Sequence, residues 1–170
     1  MHHKPRFLAR AAIIAALYAV LTHMQNIILP NSASMAVQCR LSEALCVLAF
    51  FTPAAVPGLT AGCLIFNITF AAALPLDWLV GSLSTLLATA VMWATRNIRI
   101  RSYPLIGMLM PALTNAILVG WELTLYIGGG FALNAFYVAL GELIVMLTAG
   151  TALLRVLEQR GLAKRLFPDF

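Results

Sequence analysis

Arg96-Asn97-Ile98-Arg99-Ile100-Arg101-Ser102 is the one charged stretch inside an otherwise apolar chain, and the flanking runs decide how the rest is read. Trp78 to Thr95 precede it and Tyr103 to Tyr126 follow it, both rich in Leu, Val, Ala and Met. At about 1.5 Å per residue, each run is long enough as a helix to approach the ~30 Å hydrocarbon thickness of a bilayer. The whole chain agrees with that reading, since its 170 residues are 62% hydrophobic and only 10% charged. Soluble domains carry roughly 25% charged residues, so an ordinary globular domain is excluded. A chain this apolar cannot stay solvated, which excludes disorder.

Working toward the C-terminus, the fifth span is stopped by Gly128-Gly129-Gly130 and a sixth runs from about Phe131 to Leu157. Glu158-Gln159-Arg160-Gly161 closes it, and a short basic tail follows. Toward the N-terminus, Leu74-Pro75-Leu76-Asp77 turns the chain, with Asp77 opening the fourth span where a carboxylate suits the helix dipole. A third helix covers about Pro57 to Ala73. A second, from Arg40 or Leu41 to Phe51, is too short to cross alone and is expected either to start further back or to lie buried in protein. It ends at Thr52-Pro53-Ala54-Ala55-Val56-Pro57, where proline breaks the backbone pattern. Ahead of it, Pro30, Asn31, Ser32 and Ser34 mark a loop, and the first helix spans Phe7 to Met24.

The expectation is one all-α membrane domain over residues 1–170 with six transmembrane helices. Lys4, Arg6 and Arg10 before an apolar run resemble the front of a signal peptide. No small-residue cleavage site followed by a soluble domain comes after them, so the run is read as a retained first span. Six spans put Lys4, Arg6 and Arg10, then Arg96, Arg99 and Arg101, then Arg155, Arg160, Lys164 and Arg165 on one side. By the positive-inside rule that side is the cytoplasm, with both termini inside a plasma membrane. Arg40 alone departs from the pattern. The net charge of +5 thus reflects topology, and cations this few and scattered do not make a nucleic-acid surface.

In a bilayer, a polar side chain costs a few kcal/mol unless it is paired or faces a cavity. On this topology the costly groups gather in the outer half: Arg40, Glu43, Asn67, Asp77, Trp78, Asn115, Glu122, Tyr126, Asn134, Tyr137 and Glu142. On the fifth helix Asn115, Glu122 and Tyr126 fall within about 40° of one another, a single polar stripe. On the sixth, Asn134 and Glu142 lie about 80° apart. Arg40 and Glu43, three apart, are close enough to pair on one turn. Together these residues point to a ligand pocket that opens outward, against the alternative that each is a structural tie.

The motifs that would mark other chemistry are missing. There is no phosphate loop, so the chain does not hydrolyse ATP itself, and no His-Glu-x-x-His pair. Cys39, Cys46 and Cys63 match no metal or redox spacing and read as small buried hydrophobes; His23 reads as an interface residue. No metal or cofactor is expected. The first helix carries Ala11, Ala15 and Ala19 in one row and Ala12 and Ala16 beside it, small-residue faces that let another helix come close.

Gln38-Cys39-Arg40-Leu41-Ser42-Glu43-Ala44-Leu45, Phe50-Phe51-Thr52-Pro53-Ala54-Ala55-Val56-Pro57-Gly58-Leu59 and Gly62-Cys63-Leu64-Ile65-Phe66-Asn67 closely resemble the queuosine-precursor transporter (QueT) family. Leu76-Asp77 with Gly81-Ser82-Leu83-Ser84-Thr85-Leu86-Leu87-Ala88 is similar to the family's next block. The resemblance implies the substrate-binding S component of an energy-coupling factor (ECF) transporter, a six-helix bundle whose ligand site lies near the outer face. It implies docking through alanines of the first helix, here Ala11, Ala12, Ala15 and Ala16, onto a transmembrane coupling subunit driven by two ABC-type ATPases. It implies a 7-deazaguanine substrate such as preQ0 or preQ1.

A deazaguanine edge offers a ring N–H and an exocyclic amine beside a carbonyl, which one carboxylate and one amide can read. Glu122 or Glu142 is the candidate acceptor, Asn115, Asn67 or Asn134 the amide, and Trp78, Trp121, Tyr126 or Tyr137 the stacking face. Arg40 and Glu43 are assigned to ordering the first loop over the pocket. Three other readings stay open at this point: an S component for another vitamin or heterocycle, an intramembrane enzyme using Glu122 and Glu142 as acid and base, and an assembly protein whose polar residues only tie helices.

Overall fold

Pro5 sits in a first helical turn, where its missing N–H costs nothing, and neither Lys4 nor Arg6 breaks a helix. In the computed structural model, helix α1 therefore runs His3–Ile28, past both ends of the expected span, until Leu29-Pro30 turns the chain. The structure describes residues 3–30, 32, 39–70, 73–159 and 161–168. Readings that involved His2, Asn31, Ser34, Gln38 and Arg160 lie outside them. After α1 come a 3-10 helix (Leu41–Phe50), α2 (Ala55–Thr69), α3 (Asp77–Ala94), α4 (Leu105–Tyr126) and α5 (Phe131–Val145). A π-helical stretch, Met146–Gly150, joins α5 to α6 (Thr151–Gln159), and α7 (Leu162–Leu166) ends the described chain. The short basic tail contains α7, entered through Gly161 at a φ of 58°.

The protein is all-helical among the described residues, a multi-pass membrane architecture. Among the described residues four rods are long and apolar enough to cross a bilayer: Lys4–Ile28, Asp77–Ala94, Leu105–Tyr126 and Phe131–Gln159. Leu41–Phe50 and Ala55–Thr69 are apolar but shorter, so the six expected spans divide into four long rods and two short segments. Ile13, Leu17, Ile68, Leu113, Phe136 and Ile144 are exposed, as suits helices whose outer faces meet hydrocarbon.

The second segment takes the buried alternative. It packs against each of α1 to α6, and Ser42, Glu43, Ala44, Cys46, Val47, Leu48, Ala49 and Phe50 are all buried. As a 3-10 helix it rises about 2.0 Å per residue, so ten residues reach roughly as far as fourteen α-helical ones. Such length in this conformation is uncommon, and it persists here under contacts on every side. The π stretch abuts the same segment. There the Met146 carbonyl accepts the Thr151 N–H and also its hydroxyl, at 3.3 Å, and that hydroxyl pairs with the Tyr103 hydroxyl at 2.6 Å.

α2 packs against α1 and α3, α3 against α4, and α4 against α5. The α1–α2 contact is close because glycine faces alanine. A Cβ built on Gly58 would stand 2.8 Å from the Ala11 carbonyl oxygen, and one on Gly62 would stand 2.7 Å from that of Ala15. The Ala11, Ala15 and Ala19 row is therefore used inside the chain, whereas Ala12 and Ala16, about 100° round α1, are exposed. Gly62→Ala should lower stability by about 1–3 kcal/mol by forcing the two backbones apart, read as thermal unfolding of the detergent-purified protein.

Candidate functional site

Three residues per turn stack positions i and i+3 of a 3-10 helix, so Glu43 lies directly beside Cys46. The Cys46 thiol donates to Glu43 Oε2 at 3.2 Å, and the Tyr18 hydroxyl of α1 donates to Glu43 Oε1 in a short hydrogen bond. A turn further along α1, Thr22 bonds Ser42 at 2.6 Å. Gln25 then donates to the Cys39 carbonyl at 2.6 Å and accepts from the Leu41 N–H at 2.7 Å. Three side chains of α1 thus fasten the start of the central segment, satisfying groups that hydrocarbon would leave bare.

Arg40, buried just ahead of that segment, directs Nη1 to Cys63 Sγ at 3.7 Å and holds its guanidinium 5.5 Å from the centre of the Phe66 ring. Its charge acts on Tyr18 and Glu43 and reaches Glu122 and Glu142. Glu142, 2% exposed on α5, accepts from Asn115 Nδ2 of α4 at 3.0 Å through Oε1, while Oε2 has no hydrogen-bond partner among the described residues. Glu122, 0% exposed, receives no N–H or hydroxyl donor at either oxygen among the described residues; its carboxyl lies within hydrogen-bond reach of the Asp77 carboxyl, and the Arg40 charge acts on it as well. Asp77 opens α3 and accepts from the Leu74 N–H at 2.8 Å, which closes the turn before the helix. Asn67 donates to the Asp77 carbonyl at 2.8 Å and leaves Oδ1 unpartnered among the described residues.

Arg40, Glu43, Asn67, Asp77, Asn115, Glu122 and Glu142 therefore occupy one buried region drawn from the central segment, α2, α3, α4 and α5. The other sequence candidates stand apart. Trp78 and Tyr126 are exposed at 48% and 43%, as is Trp121, and Tyr137 is half-buried beside Phe136. Asn134 donates to the Gly128 carbonyl at 2.8 Å and to Thr124 Oγ1 at 3.1 Å, which holds the glycine turn between α4 and α5.

Sequence reasoning passed over Tyr18 and Gln25, although a hydroxyl and an amide inside an apolar run already imply buried partners. It read Cys46 and Cys63 as plain hydrophobes; both are fully buried, and their sulfurs also bond Glu43, Arg40 and Asn67.

Chemically, the region holds buried acceptor oxygens beside a cation. No group of three or more metal-ligating side chains forms among the described residues. Tyr18→Phe should cost about 1–3 kcal/mol of stability, because it strips a donor from a buried carboxylate; denaturant unfolding in detergent measures it.

Comparison with known families finds that the family described as QueT transporter matches residues 8–159, most of the chain. Comparisons with curated proteins and with solved structures give no match.

Proposed function

Taking as premise that the chain belongs to the QueT transporter family, we propose that it is the substrate-binding S component of an ECF transporter that takes up a 7-deazaguanine such as preQ0 or preQ1. The ligand enters from outside a plasma membrane in which both termini are cytoplasmic. Release follows when a transmembrane coupling subunit and two ABC-type ATPases reorient the bundle. The chain itself forms and breaks no covalent bond.

The observation that carries the reading is Glu122: fully buried, with no N–H or hydroxyl donor at either carboxyl oxygen among the described residues and only the Asp77 carboxyl, itself an acceptor when ionised, within hydrogen-bond reach. A buried acceptor left unsatisfied costs about 1–3 kcal/mol, more when charged, so such a group has reason to persist where a ligand supplies the donors. A deazaguanine brings two donors on one edge, the ring N–H and the exocyclic amine, spaced for the two oxygens of one carboxylate. Glu142 already spends one oxygen on Asn115, so Glu122 is the bidentate reader and the Glu142–Asn115 pair lines the site beside it. Asn67 Oδ1 and Arg40 complete its polar wall. A site of this kind rejects ligands that lack the donor pair, because its own buried groups then go unpaired.

Isothermal titration of the purified protein with a 7-deazaguanine tests this. Glu122→Gln replaces one acceptor by a donor that opposes the ligand's own, and should weaken binding at least about tenfold, equivalent to ~1.4 kcal/mol. Unchanged affinity overturns the assignment.

The exposed Ala12 and Ala16 row is the docking face that α1 still offers, since the Ala11 and Ala15 row faces α2. Ala16→Leu should stop uptake into cells carrying the complete transporter while leaving ligand affinity of the isolated chain unchanged; normal uptake by this variant counts against docking there.

A further inference from the structure

At the end of the bundle opposite the carboxyl cluster, residues of the loop after α3, of the end of α6 and of the start of α7 line a cavity of about 480 Å³. That is large enough for a small ligand or a lipid headgroup. Its apolar wall is Phe50, Phe51 and Leu157, and its rim carries Arg96, Arg99 and Lys164 against one carboxylate, Glu158. The two arginines are held in place. The Arg96 guanidinium lies 3.9 Å from the Trp93 ring centre and donates to the Trp93 carbonyl at 2.9 Å. Arg99 is paired with Glu158 at 2.6 Å, both about one-third exposed.

The same loop and helices also present Ile98, Ile100, Val156 and Leu166 to the outside, each about half exposed. A soluble anion would match the basic rim and leave those side chains unused. A molecule with an anionic head and hydrocarbon tails matches both. We infer that this cavity binds the phosphate headgroup of an anionic phospholipid, with the acyl chains lying along the apolar side chains beside it. Basic pockets between membrane helices take anionic headgroups on these terms, a cation near the surface contributing enough to discriminate them from zwitterionic ones. The inference goes beyond the substrate reading and is independent of it, since no residue is shared between the two regions.

Full-length protein purified in a neutral detergent and analysed by native mass spectrometry after mixing with phosphatidylglycerol or phosphatidylcholine provides the test. Phosphatidylglycerol should be retained preferentially, and Lys164→Gln should reduce its retention about fivefold, as loss of one interfacial cation implies. Glu158→Gln, which removes the carboxylate competing for Arg99, should raise retention by a similar factor; a purely structural ion pair would give no gain. Equal retention of the two lipids, or no gain in Glu158→Gln, overturns the proposal. A thermal upshift from inorganic phosphate alone equal to that from phosphatidylglycerol overturns the lipid assignment.

Discussion

A ten-residue helix that cannot reach across a bilayer is stable only if protein surrounds it, and the architecture follows from enclosing Leu41–Phe50. α1 to α6 all pack on it. It brings a buried arginine and glutamate with it, and each needs partners that hydrocarbon cannot supply. Tyr18 on α1 and Cys63 on α2 answer that need, while Thr22 and Gln25 satisfy Ser42 and the Leu41 N–H beside them. The carboxyls of α4 and α5 then close around the same cation. The packing that encloses the segment is the packing that brings the polar cluster together.

Much of this was legible in the sequence because hydrocarbon penalises polarity so heavily. The long rods showed as apolar runs bounded by Pro53, by Leu74-Pro75 and by Gly128 to Gly130, and the polar residues inside them were few enough to treat one by one. Arg40, Glu43, Asn67, Asp77, Asn115, Glu122 and Glu142 do share a region. Periodicity could not show which edge of an alanine-rich helix is already occupied. Ala11 and Ala12 look equivalent until Gly58 and Gly62 on another helix select the Ala11 row. Nor could it separate aromatics that enter the cluster from those facing outward: Trp78 adjoins Asp77 in sequence, but neighbours on a helix point about 100° apart.

The 3-10 winding was beyond reach for a related reason. Residues 41–50 carry no local signal for three residues per turn, and nearly every one of them is apolar or small. The conformation follows from what must be reached at both ends and from packing on every face, which are properties of the assembled bundle. The π stretch packs against the same segment, and its residues carry no local signal for the wider turn either.

That winding sets a distance. Arg40 stands at one end of the segment, in the carboxyl cluster, and Phe50 at the other, in the wall of the basic cavity. Each residue rises about 0.5 Å more here than in an α-helix, so rewinding all ten would shorten this strut by about 5 Å. Either the guanidinium would leave the carboxyls or the phenyl ring would leave the cavity wall. The pitch of one short element is thus a gauge that keeps the two ends of the molecule in fixed register.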